Sequence, residues 1–315
     1  MTDREVKLTR QGWADALIEL GSTNEDVVVL DADLSKSTLT CQFKDKFPEK
    51  FFNVGIAEQN LVNIAAGLSL TGHIPFVSTY GIFLSGRAWE MIRNTICVNN
   101  LNVNFGGAHG GLSVGPDGAS HQALEEISIM RCIPNMTVVV PADYNETKKA
   151  ILQSAKIPGP VYTRFGREKV PVITSIEDEF IIGKANILKE GTDVTIIACG
   201  AMVAESLDAA DTLEQEGISA EVINLHTIKP IDKETILKSA SKTKAVVTAE
   251  EHQIAGGMGS AVLEVLAQEN PVPVELIGIK DSFGESGTPE ELMEKHGCKA
   301  HHIADAARKV LQRKA

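Results

Sequence analysis

Short β-branched runs alternate with amphipathic helical stretches along this 315-residue chain, and no other feature of the sequence constrains its fold so strongly. Strands are predicted at residues 27–30, 74–79, 101–105, 137–140 and 161–163, and again at 194–199, 220–224, 245–248 and 274–277. Helices are predicted at residues 10–20, 57–70, 86–98, 121–130 and 144–154, and again at 202–216, 233–239, 259–268, 289–295 and 303–313. Such an alternation is typical of a parallel sheet that carries helices on both faces.

The alternation divides into two blocks. Between them, residues 171–180 form a charged and β-branched stretch that begins with Pro171 and has neither period, as inter-domain connections often do. The chain is also longer than one hydrophobic core usually supports. We therefore predict two tandem three-layer α/β/α domains with mainly parallel sheets, the first at residues 1–170 and the second at 181–315, with 171–180 as the linker.

The chain is acidic overall, with a formal net charge of −12 and no basic cluster. This balance argues against a nucleic-acid partner or a membrane surface. Residues 1–10 are polar, and no apolar run approaches the roughly 18 residues that a membrane span needs. We expect a soluble cytoplasmic protein that holds any anionic substrate with locally placed cations.

The five cysteines are widely spaced and include no Cys-x-x-Cys pair, which predicts neither disulfides nor a structural zinc site. The one adjacent histidine pair, His301 and His302, has no potential ligand partners nearby in the sequence. We expect that pair at a solvent-facing helix start, and we assign no metal ligands in this chain.

One acidic residue, Glu58, begins a helical stretch that is otherwise apolar. Leu61, Ile64, Ala65 and Leu68 follow at the spacing of a buried helix face. A carboxyl group in such a setting needs a partner, because burial disfavours its charged form, and carboxyl groups of this kind cluster at functional sites. The alternative is a simple helix cap, since acidic side chains are common in first turns.

Residues with useful chemistry follow several of the predicted strands. In open parallel sheets, ligands bind beyond the carboxyl ends of the strands, so these side chains are expected to meet at one edge. In chain order they are Asp31, Asp33, Ser37, Tyr80, Phe83, His109, Asp117, His121 and Arg164. Together with Glu58 they suit a flat heteroaromatic cofactor that is activated through a ring nitrogen.

Each of these residues also has a simpler interpretation. Tyr80 and Phe83 are at least as typical of an ordinary core as of a cofactor platform. The two histidines can satisfy one another together with the aspartate between them, and Arg164 can form a structural ion pair. The nearby glycines can serve only tight turns, because glycine supplies positive φ. The chain contains no Walker-type phosphate loop.

Several runs of residues together resemble the transketolase family. Those of the first half are Gly55-Ile56-Ala57-Glu58-Gln59-Asn60, the Gly-x-Asp-Gly-x-[Ser/Thr]-His-Gln pattern at 115–122, and Arg131-Cys132-Ile133-Pro134-Asn135-Met136 followed by Pro141-Ala142-Asp143. Their order and spacing are similar to those of the family's pyrimidine-binding domain. The acidic run at 250–252 and the glycine-rich run at 256–260 are similar to its C-terminal domain. The resemblance covers essentially the whole chain, but only the second half of a full-length transketolase.

The resemblance implies a thiamine diphosphate-dependent transfer of a two-carbon ketol unit from a ketose phosphate to an aldose phosphate. It implies that Glu58 hydrogen-bonds a nitrogen of the cofactor's aminopyrimidine ring, that Tyr80 and Phe83 stack on this ring, and that Asp33 also contacts the cofactor. The implied substrate contacts are His109, Asp117, His121, Arg164 and Ser37. By the same resemblance, the two histidines are catalytic and the arginine grips the substrate phosphate, for which a planar guanidinium is well suited.

The chain departs from the family at the charged end of the cofactor. Single-chain members bind the diphosphate and its metal through Gly-Asp-Gly and a later Asn, and no Gly-Asp-Gly occurs here. This implies a split transketolase, in which an N-terminal partner subunit binds the diphosphate with Mg²⁺ or Ca²⁺ and two heterodimers form an α2β2 assembly. Gly86 and Pro116 replace an aromatic and an acidic residue that are frequent in single-chain enzymes, which leaves the sugar specificity open.

Three other functions stay open at this point. The β subunit of a 2-oxoacid dehydrogenase has the same two-domain plan, but its typical segments lack the Asp-Gly-x-[Ser/Thr]-His-Gln run. The enzyme 1-deoxyxylulose-5-phosphate synthase has a similar Gly-Ile-Ala-Glu-Gln run, but it is normally one chain that includes the metal motif. A non-catalytic paralogue that only assembles with a partner is disfavoured by the joint presence of Glu58, His109, Asp117, His121 and Arg164.

Overall fold

The structure is a computed structural model that describes residues 4–314. Its strands are β1 (Val6–Leu8), β2 (Val27–Asp31), β3 (Phe51–Asn53), β4 (Ile74–Tyr80), β5 (Asn104–Ala108), β6 (Thr137–Val139), β7 (Val161–Arg164), β8 (Lys169–Pro171), β9 (Asn186–Lys189), β10 (Val194–Ala198), β11 (Ala220–Asn224), β12 (Thr227–Lys229), β13 (Val246–Gln253) and β14 (Val274–Ile279).

Its α-helices are α1 (Thr9–Thr23), α2 (Ser35–Thr38), α3 (Cys41–Lys46), α4 (Glu58–Leu70), α5 (Gly81–Arg87), α6 (Trp89–Met91), α7 (Glu126–Arg131), α8 (Tyr144–Ser154), α9 (Met202–Gln215), α10 (Lys233–Thr243), α11 (Met258–Glu269), α12 (Pro289–Lys295) and α13 (Ala300–Leu311). Short 3₁₀ helices lie at Pro48–Lys50 and Leu112–Asp117, and a π-helical segment at Ile92–Cys97.

The first sheet has seven strands in the order β12-β6-β7-β5-β4-β2-β3, and every neighbouring pair except β12 with β6 is parallel. Strand β2 is buried along its whole length, as expected for a strand that is covered on both faces. Its alternate residues enter two different core clusters. Val27 and Val29 pack with Trp13 of α1, whereas Val28 and Leu30 pack with the helix that carries Glu58. Helices therefore cover both faces of this sheet.

The second sheet has five strands in the order β14-β13-β10-β11-β9, of which only β9 is antiparallel to its neighbour. Strand β10 shows the same two-sided burial, because Ile196 packs with α9 and α13 while Ile197 packs with α10 and α11. The predicted fold class, two three-layer α/β/α domains with mainly parallel sheets, is confirmed.

A strand from the second half of the chain joins the first sheet, which the sequence pattern did not predict. Strand β12 belongs to the second half but pairs with β6 at the edge of the first sheet, where Thr227 lies opposite Val139. A second short ribbon joins β1 with β8, where Val6 lies opposite Pro171. Strands this short contain too few residues to show a period. One hydrophobic cluster also runs through both domains, so their relative position is fixed by shared packing.

Strand β5 lies further along the chain than the sequence predicted. Its run Asn-Phe-Gly-Gly-Ala is poor in strand formers. The glycines are needed because a Cβ at Gly106 would lie 2.6 Å from the Trp13 ring, and a Cβ at Gly107 would overlap Tyr162. Tertiary packing therefore outweighs local propensity here, and it brings the end of β5 to the edge where polar side chains gather.

Two predicted helices are shorter or broken in the structure. The stretch predicted as a helix at 86–98 is split between α5, α6 and the π-helical segment. The helix predicted at 121–130 begins only at Glu126, because the preceding residues form turns and a bridge to Gly110. Among residues 4–314, no helix combines the length and the apolar composition that crossing a membrane requires.

Candidate active site

Glu58 is the first residue of α4 and follows the carboxyl end of β3. Only 5% of this residue is exposed. The helix behind it buries Leu61, Val62, Ala65 and Ala66, so the carboxylate stands on a rigid and apolar base. Of the face that the sequence predicted, Leu61 and Ala65 are buried, whereas Ile64 and Leu68 are only half-buried, so the buried face is rotated toward Val62 and Ala66.

The partner of the Glu58 carboxylate is Arg87, the last residue of α5. Arg87 Nη1 donates to Glu58 Oε1 over 3.1 Å, and its guanidinium carbon lies 4.3 Å from the centroid of the Phe83 ring. The Arg87 carbonyl oxygen accepts from Gln59 Nε2 over 3.2 Å. The carboxylate is thus paired across the site, which disfavours the simple-cap interpretation. We did not predict Arg87 from the sequence, although its i+4 spacing from Phe83 in a helix was a usable signal.

Four rings meet beyond the carboxyl ends of β4 and β5. The rings of Tyr80 and His109 are stacked with centroids 4.0 Å apart, and those of Tyr80 and Phe83 are stacked at 5.7 Å. His121 meets this stack edge-on, with centroids 5.7 Å from Tyr80 and 5.3 Å from Phe83. The sequence prediction that these residues gather at one edge agrees with this arrangement, and the rings form a platform at the end of the sheet.

His109 is buried and lies in an environment that keeps its imidazole neutral. Burial, together with the positive charges of Arg10, Arg167 and His121, lowers the pKa of His109 to about 3. Its backbone has a φ of 59°, which few residues other than glycine adopt readily. Its Nδ1 atom is buried and has no hydrogen-bond partner among residues 4–314. A buried and unpaired ring nitrogen of this kind is rare in folded proteins unless a ligand completes it.

The loop after β5 carries Asp117 and His121. The Asp117 carboxylate lies 3.6 Å from Arg167 Nη1, and the His121 Nδ1 atom lies 2.9 Å from the Ser120 hydroxyl. The two histidines and the aspartate therefore do not satisfy one another, which was the simpler interpretation of the sequence. His121 lies at the same edge as the ring platform, because it contacts two of its rings.

The second domain holds this loop in place. Gln122 Nε2 donates to the carbonyl oxygen of Glu285 over 2.9 Å, and the backbone N–H of Ser113 donates to the Glu251 carboxylate. A Cβ atom at Gly111, where φ is 94°, would overlap that carboxylate. Glu251 of the run at 250–252 therefore anchors the loop that carries Asp117 and His121.

Arg164 is the predicted site residue that the geometry argues against. It is 5% exposed, its Nε donates to the Glu126 carboxylate, and its Nη2 donates to the carbonyl oxygen of Glu251 over 2.7 Å. Burial alone would lower the pKa of Arg164, but the Glu126 carboxylate raises it, and the net shift is upward. This is the structural ion pair that the sequence left open as an alternative. Nε and Nη2 of Arg164 are thus engaged by protein groups between the two domains, which disfavours a phosphate-binding role, and that role stays a prediction.

Two other arginines, Arg10 and Arg167, place positive charge near His109. Both depress the pKa of His109, and the charge of Arg167 adds to burial in lowering the pKa of Arg10. Arg10 Nη1 donates to the carbonyl oxygen of Ser37 over 2.9 Å, and Arg167 Nη1 donates to that of Val114 over 2.7 Å. Neither arginine was predicted as a site residue from the sequence, although Arg167 is only three residues from Arg164 and Arg10 begins a predicted helix. The predicted site residue Ser37 therefore borders this pair of cations.

The two aspartates that follow β2 differ in environment. Asp31 is fully buried and accepts hydrogen bonds from the Leu34 backbone and from the hydroxyl groups of Thr38 and Thr40, so it shapes the turn. Burial raises the pKa of Asp31. Asp33 is exposed and accepts a hydrogen bond from Asn53 Nδ2 over 2.9 Å. The cofactor contact assigned to Asp33 stays a prediction.

The pair His301 and His302 lies in the first turn of α13, as predicted, but it does have a partner. Glu294 Oε1 lies 3.1 Å from His301 Nε2 and 3.8 Å from His302 Nε2. Glu294 comes from the preceding helix, so its proximity could not be seen in the sequence. All three side chains are substantially exposed, which is typical of a surface ion pair that forms when the imidazoles are protonated.

Comparisons with known proteins agree with this architecture. Residues 6–172 match the family model of the transketolase pyrimidine binding domain, and residues 183–303 match that of the transketolase C-terminal domain. The chain is 50% identical over 299 residues to a Methanocaldococcus jannaschii protein described as a transketolase C-terminal section, and the match covers 94% of this chain and 93% of that protein. It is 43% identical over 314 residues to the 6-deoxy-6-sulfo-D-fructose transketolase subunit SqwH of Clostridium sp. strain MSTE9, with 98% of each chain covered.

A solved structure of a split gene transketolase, an inactive β4 tetramer, superposes on this chain with a TM-score of 0.92 at 52% identity, covering 98% of this chain and 99% of that one. Both family domains are thus matched in order along nearly the whole chain. The chain belongs to the transketolase family of thiamine diphosphate-dependent transferases, and it comprises the pyrimidine-binding and C-terminal domains of that family.

Proposed function

We propose that this chain is the C-terminal subunit of a two-chain transketolase, which moves a two-carbon ketol unit from a ketose phosphate to an aldose phosphate. The observation that carries the proposal is the buried Glu58 carboxylate, which shares the Arg87 guanidinium with the Phe83 ring at the edge where four rings meet. A flat nitrogen heterocycle can stack on such rings while one of its ring nitrogens shares a hydrogen bond with the carboxyl group.

The residues at this edge fit the aminopyrimidine half of thiamine diphosphate. A flat ring needs a stacking surface, and Phe83 already carries a planar group at 4.3 Å. The Glu58 carboxylate is an acceptor beside that surface. A Cβ atom added at the exposed Gly86, which precedes Arg87 in the chain, would meet nothing within 4 Å. When bound, thiamine diphosphate supplies a carbon nucleophile for the ketose carbonyl group.

Glu58 holds the pyrimidine ring and is the acid–base group at its nitrogen. Its rigid base on α4 fixes the carboxylate, and burial strengthens any hydrogen bond that it makes. Tyr80 and Phe83 exclude water from one side of the ring. Asp33, which is exposed on the turn after β2, is a further contact to the cofactor in this proposal.

His109 acts on the substrate as a neutral imidazole. Because its pKa is depressed to about 3, it stays uncharged at neutral pH and can donate from one nitrogen and accept at the other. Its buried Nδ1 needs a partner, and a sugar oxygen entering over the ring platform would provide one. His121 and Asp117, on the loop after β5, complete a polar wall that can bind further hydroxyl groups.

The anionic end of the sugar is bound by Arg167 and Arg10 rather than by Arg164. The first two lie together near His109 and Ser37, and Arg167 is only partly buried, with 29% of its side chain exposed. Two guanidinium groups near each other repel one another, so an anion between them would be stabilised. This also explains how an acidic protein can hold an anionic sugar.

The diphosphate and its Mg²⁺ or Ca²⁺ belong to an N-terminal partner subunit in this proposal, within an α2β2 assembly. The chain lacks the Gly-Asp-Gly motif, and its relatives include transketolase sections and subunits. Apolar side chains are also exposed beside Glu58, since Phe52 is 39% exposed and Ile56 is 76% exposed. Exposed apolar residues next to a half-formed site are what a partner subunit would cover.

The substrates we propose are the sugar phosphates of the cytoplasmic pentose phosphate pathway. One relative is named for a sulfonated fructose, so the nature of the anion and the sugar is a property that relatives can vary. The space at Gly86 and the exposed Pro116 lie at positions where such variation can act.

The test is an assay of ketol transfer with the purified chain, its N-terminal partner and the two together. Each sample receives thiamine diphosphate and Mg²⁺, with xylulose 5-phosphate as donor and ribose 5-phosphate as acceptor. We expect turnover only when both chains are present. Turnover by the isolated chain would contradict the two-chain proposal, and activity of the mixture on another ketose phosphate alone would change the substrate but not the chemistry.

A further inference from the structure

We propose that Arg87 is a gate of the cofactor pocket: its guanidinium occupies the position of the aminopyrimidine ring and must leave before thiamine diphosphate can bind. The inference rests on the proposed function, since it concerns the same pocket, and it adds a means of regulating cofactor entry. It is carried by the contacts of one side chain with two predicted cofactor-binding residues.

Arg87 contacts both of the residues that are predicted to bind the aminopyrimidine ring. The Arg87 guanidinium donates to Glu58 over 3.1 Å and covers the Phe83 ring at 4.3 Å. These are the two groups that would hold the aminopyrimidine, one through a hydrogen bond and one through stacking. A guanidinium and an aminopyrimidine are both flat arrays of carbon and nitrogen that donate N–H groups in their plane. The arginine therefore makes both kinds of contact that the cofactor ring would make, although its N–H donates to the Glu58 carboxylate, whereas a ring nitrogen would share a proton with it.

The Arg87 guanidinium and the aminopyrimidine ring exclude each other. A ring stacked on the same face of Phe83 would have to occupy the volume of the guanidinium. Glu58 is 5% exposed, so its carboxylate should not be left without a partner. Departure of Arg87 is therefore favourable only when another hydrogen-bonding partner replaces it, and opening is coupled to the arrival of the cofactor.

The Arg87 side chain is free to rotate. Its side chain is 53% exposed, in contrast to the buried carboxylate that it meets. It ends α5, and no atom lies within 4 Å of a Cβ added at the preceding Gly86. The Gln59 amide holds the Arg87 carbonyl oxygen, so the backbone can stay in place while the side chain rotates.

The expected consequence is a reduced apparent affinity for the cofactor. When only part of the population has an open pocket, the observed dissociation constant is increased in proportion. In the closed state, Arg87 contacts Glu58 and Phe83. An ion pair whose arginine is half exposed and a cation–π contact together favour this state by about 3- to 30-fold, which corresponds to about 0.7–2 kcal/mol. The free subunit thereby keeps its glutamate paired until a partner that binds the diphosphate makes cofactor entry favourable.

The experiment compares Arg87→Met, which keeps the length of the side chain but removes its charge and planar group, with the parent chain and with Arg93→Met. Arg93 is an exposed arginine on the following helical segment, where it pairs with Asn94, and it serves as the matched control. Each chain is assembled with the N-terminal partner, and thiamine diphosphate with Mg²⁺ is titrated calorimetrically. We expect Arg87→Met to bind the cofactor about 3- to 30-fold more tightly than the parent, and Arg93→Met to match the parent.

A second variant, Arg87→Lys, separates the two contacts because lysine can keep the ion pair with Glu58 but not the planar stack. We expect its affinity for the cofactor to lie between those of the parent and Arg87→Met. Equal or weaker cofactor binding by Arg87→Met would overturn the gate alone. Failure of every assembled complex, including the parent, to bind thiamine diphosphate would overturn the proposed function, and the gate with it.

Discussion

The imidazole of His109 stacks on the ring of Tyr80, with the two centroids 4.0 Å apart and the planes inclined by 26°. This contact follows from strand register, since Tyr80 lies opposite Ala108 across the parallel pair of β4 and β5. A neutral imidazole held flat against an aromatic ring is fixed in orientation, and its Nδ1 atom is buried without a hydrogen-bond partner among residues 4–314. That geometry links the rings at the end of β4 to the loop that follows β5.

Replacing Glu58 by glutamine should abolish most of the activity without disturbing the fold. Glutamine preserves the shape of the side chain but cannot exchange a proton, so ketol transfer by the assembled enzyme should fall by about 10²- to 10⁴-fold. Steady-state kinetics and a sizing experiment on the complex would measure both effects. Glu49→Gln, at an exposed position in a short 3₁₀ helix, is the control and should be silent. Activity of Glu58→Gln within a few-fold of the parent would count against the assigned role.

The depressed pKa of His109 predicts a specific pH dependence of stability. The pKa falls from the usual 6.5 to about 3, so between these values the unfolded chain binds a proton at this site and the folded chain does not. The stability that this site contributes is therefore lost as the pH falls through that window. His109→Asn, which tolerates the positive φ, should show a flatter decline in the free energy of unfolding between pH 6.5 and pH 4. Parallel curves for parent and variant, measured by denaturant unfolding, would contradict this.

Arg167→Ala should weaken the binding of phosphorylated sugars. Loss of a charge-assisted contact predicts a KM that is raised about 10- to 100-fold for a ketose phosphate, with little change for the unphosphorylated sugar. Lys169→Ala removes an exposed cation two residues away and should leave both values unchanged. If Arg167→Ala raised the KM for both sugars equally, Arg167 would not belong to the anion-binding site.

Arg164→Met should instead act on stability. Removing one partner of a buried ion pair leaves the Glu126 carboxylate unpaired, which typically costs about 3–5 kcal/mol. Denaturant unfolding would measure the loss, and the double variant Arg164→Met with Glu126→Gln should recover part of it. A phosphate-specific change in KM without loss of stability would restore the sequence-based assignment of Arg164.

Several parts of the site could be predicted from the sequence because their signals are local. The apolar period behind Glu58 identifies a buried helix, and residues at the ends of parallel strands share one edge of the sheet whatever the details of packing. Tyr80, His109 and His121 came together for that reason. The same logic identified Asp33 and Ser37 as edge residues, although their roles stay predictions.

The remaining features depend on tertiary contacts. The sequence pattern identifies Arg87 only as a charged residue of a predicted helix. Its role depends on the Glu58 carboxylate, which lies on another helix. Arg164 and Arg167 look alike in the sequence, but the first lies within β7 and pairs with Glu126, whereas the second lies beyond the strand end. The extension of β5 through Gly106 depends on the ring of Trp13, which no local propensity encodes.

The most direct test of the central claim is a calorimetric titration of thiamine diphosphate and Mg²⁺ into this chain, into its N-terminal partner, and into the two combined. We predict one cofactor per heterodimer in the mixture, no comparable binding by this chain alone, and weaker binding by a mixture that contains Glu58→Gln. Full-affinity binding by this chain alone, or none by the mixture, would contradict the account.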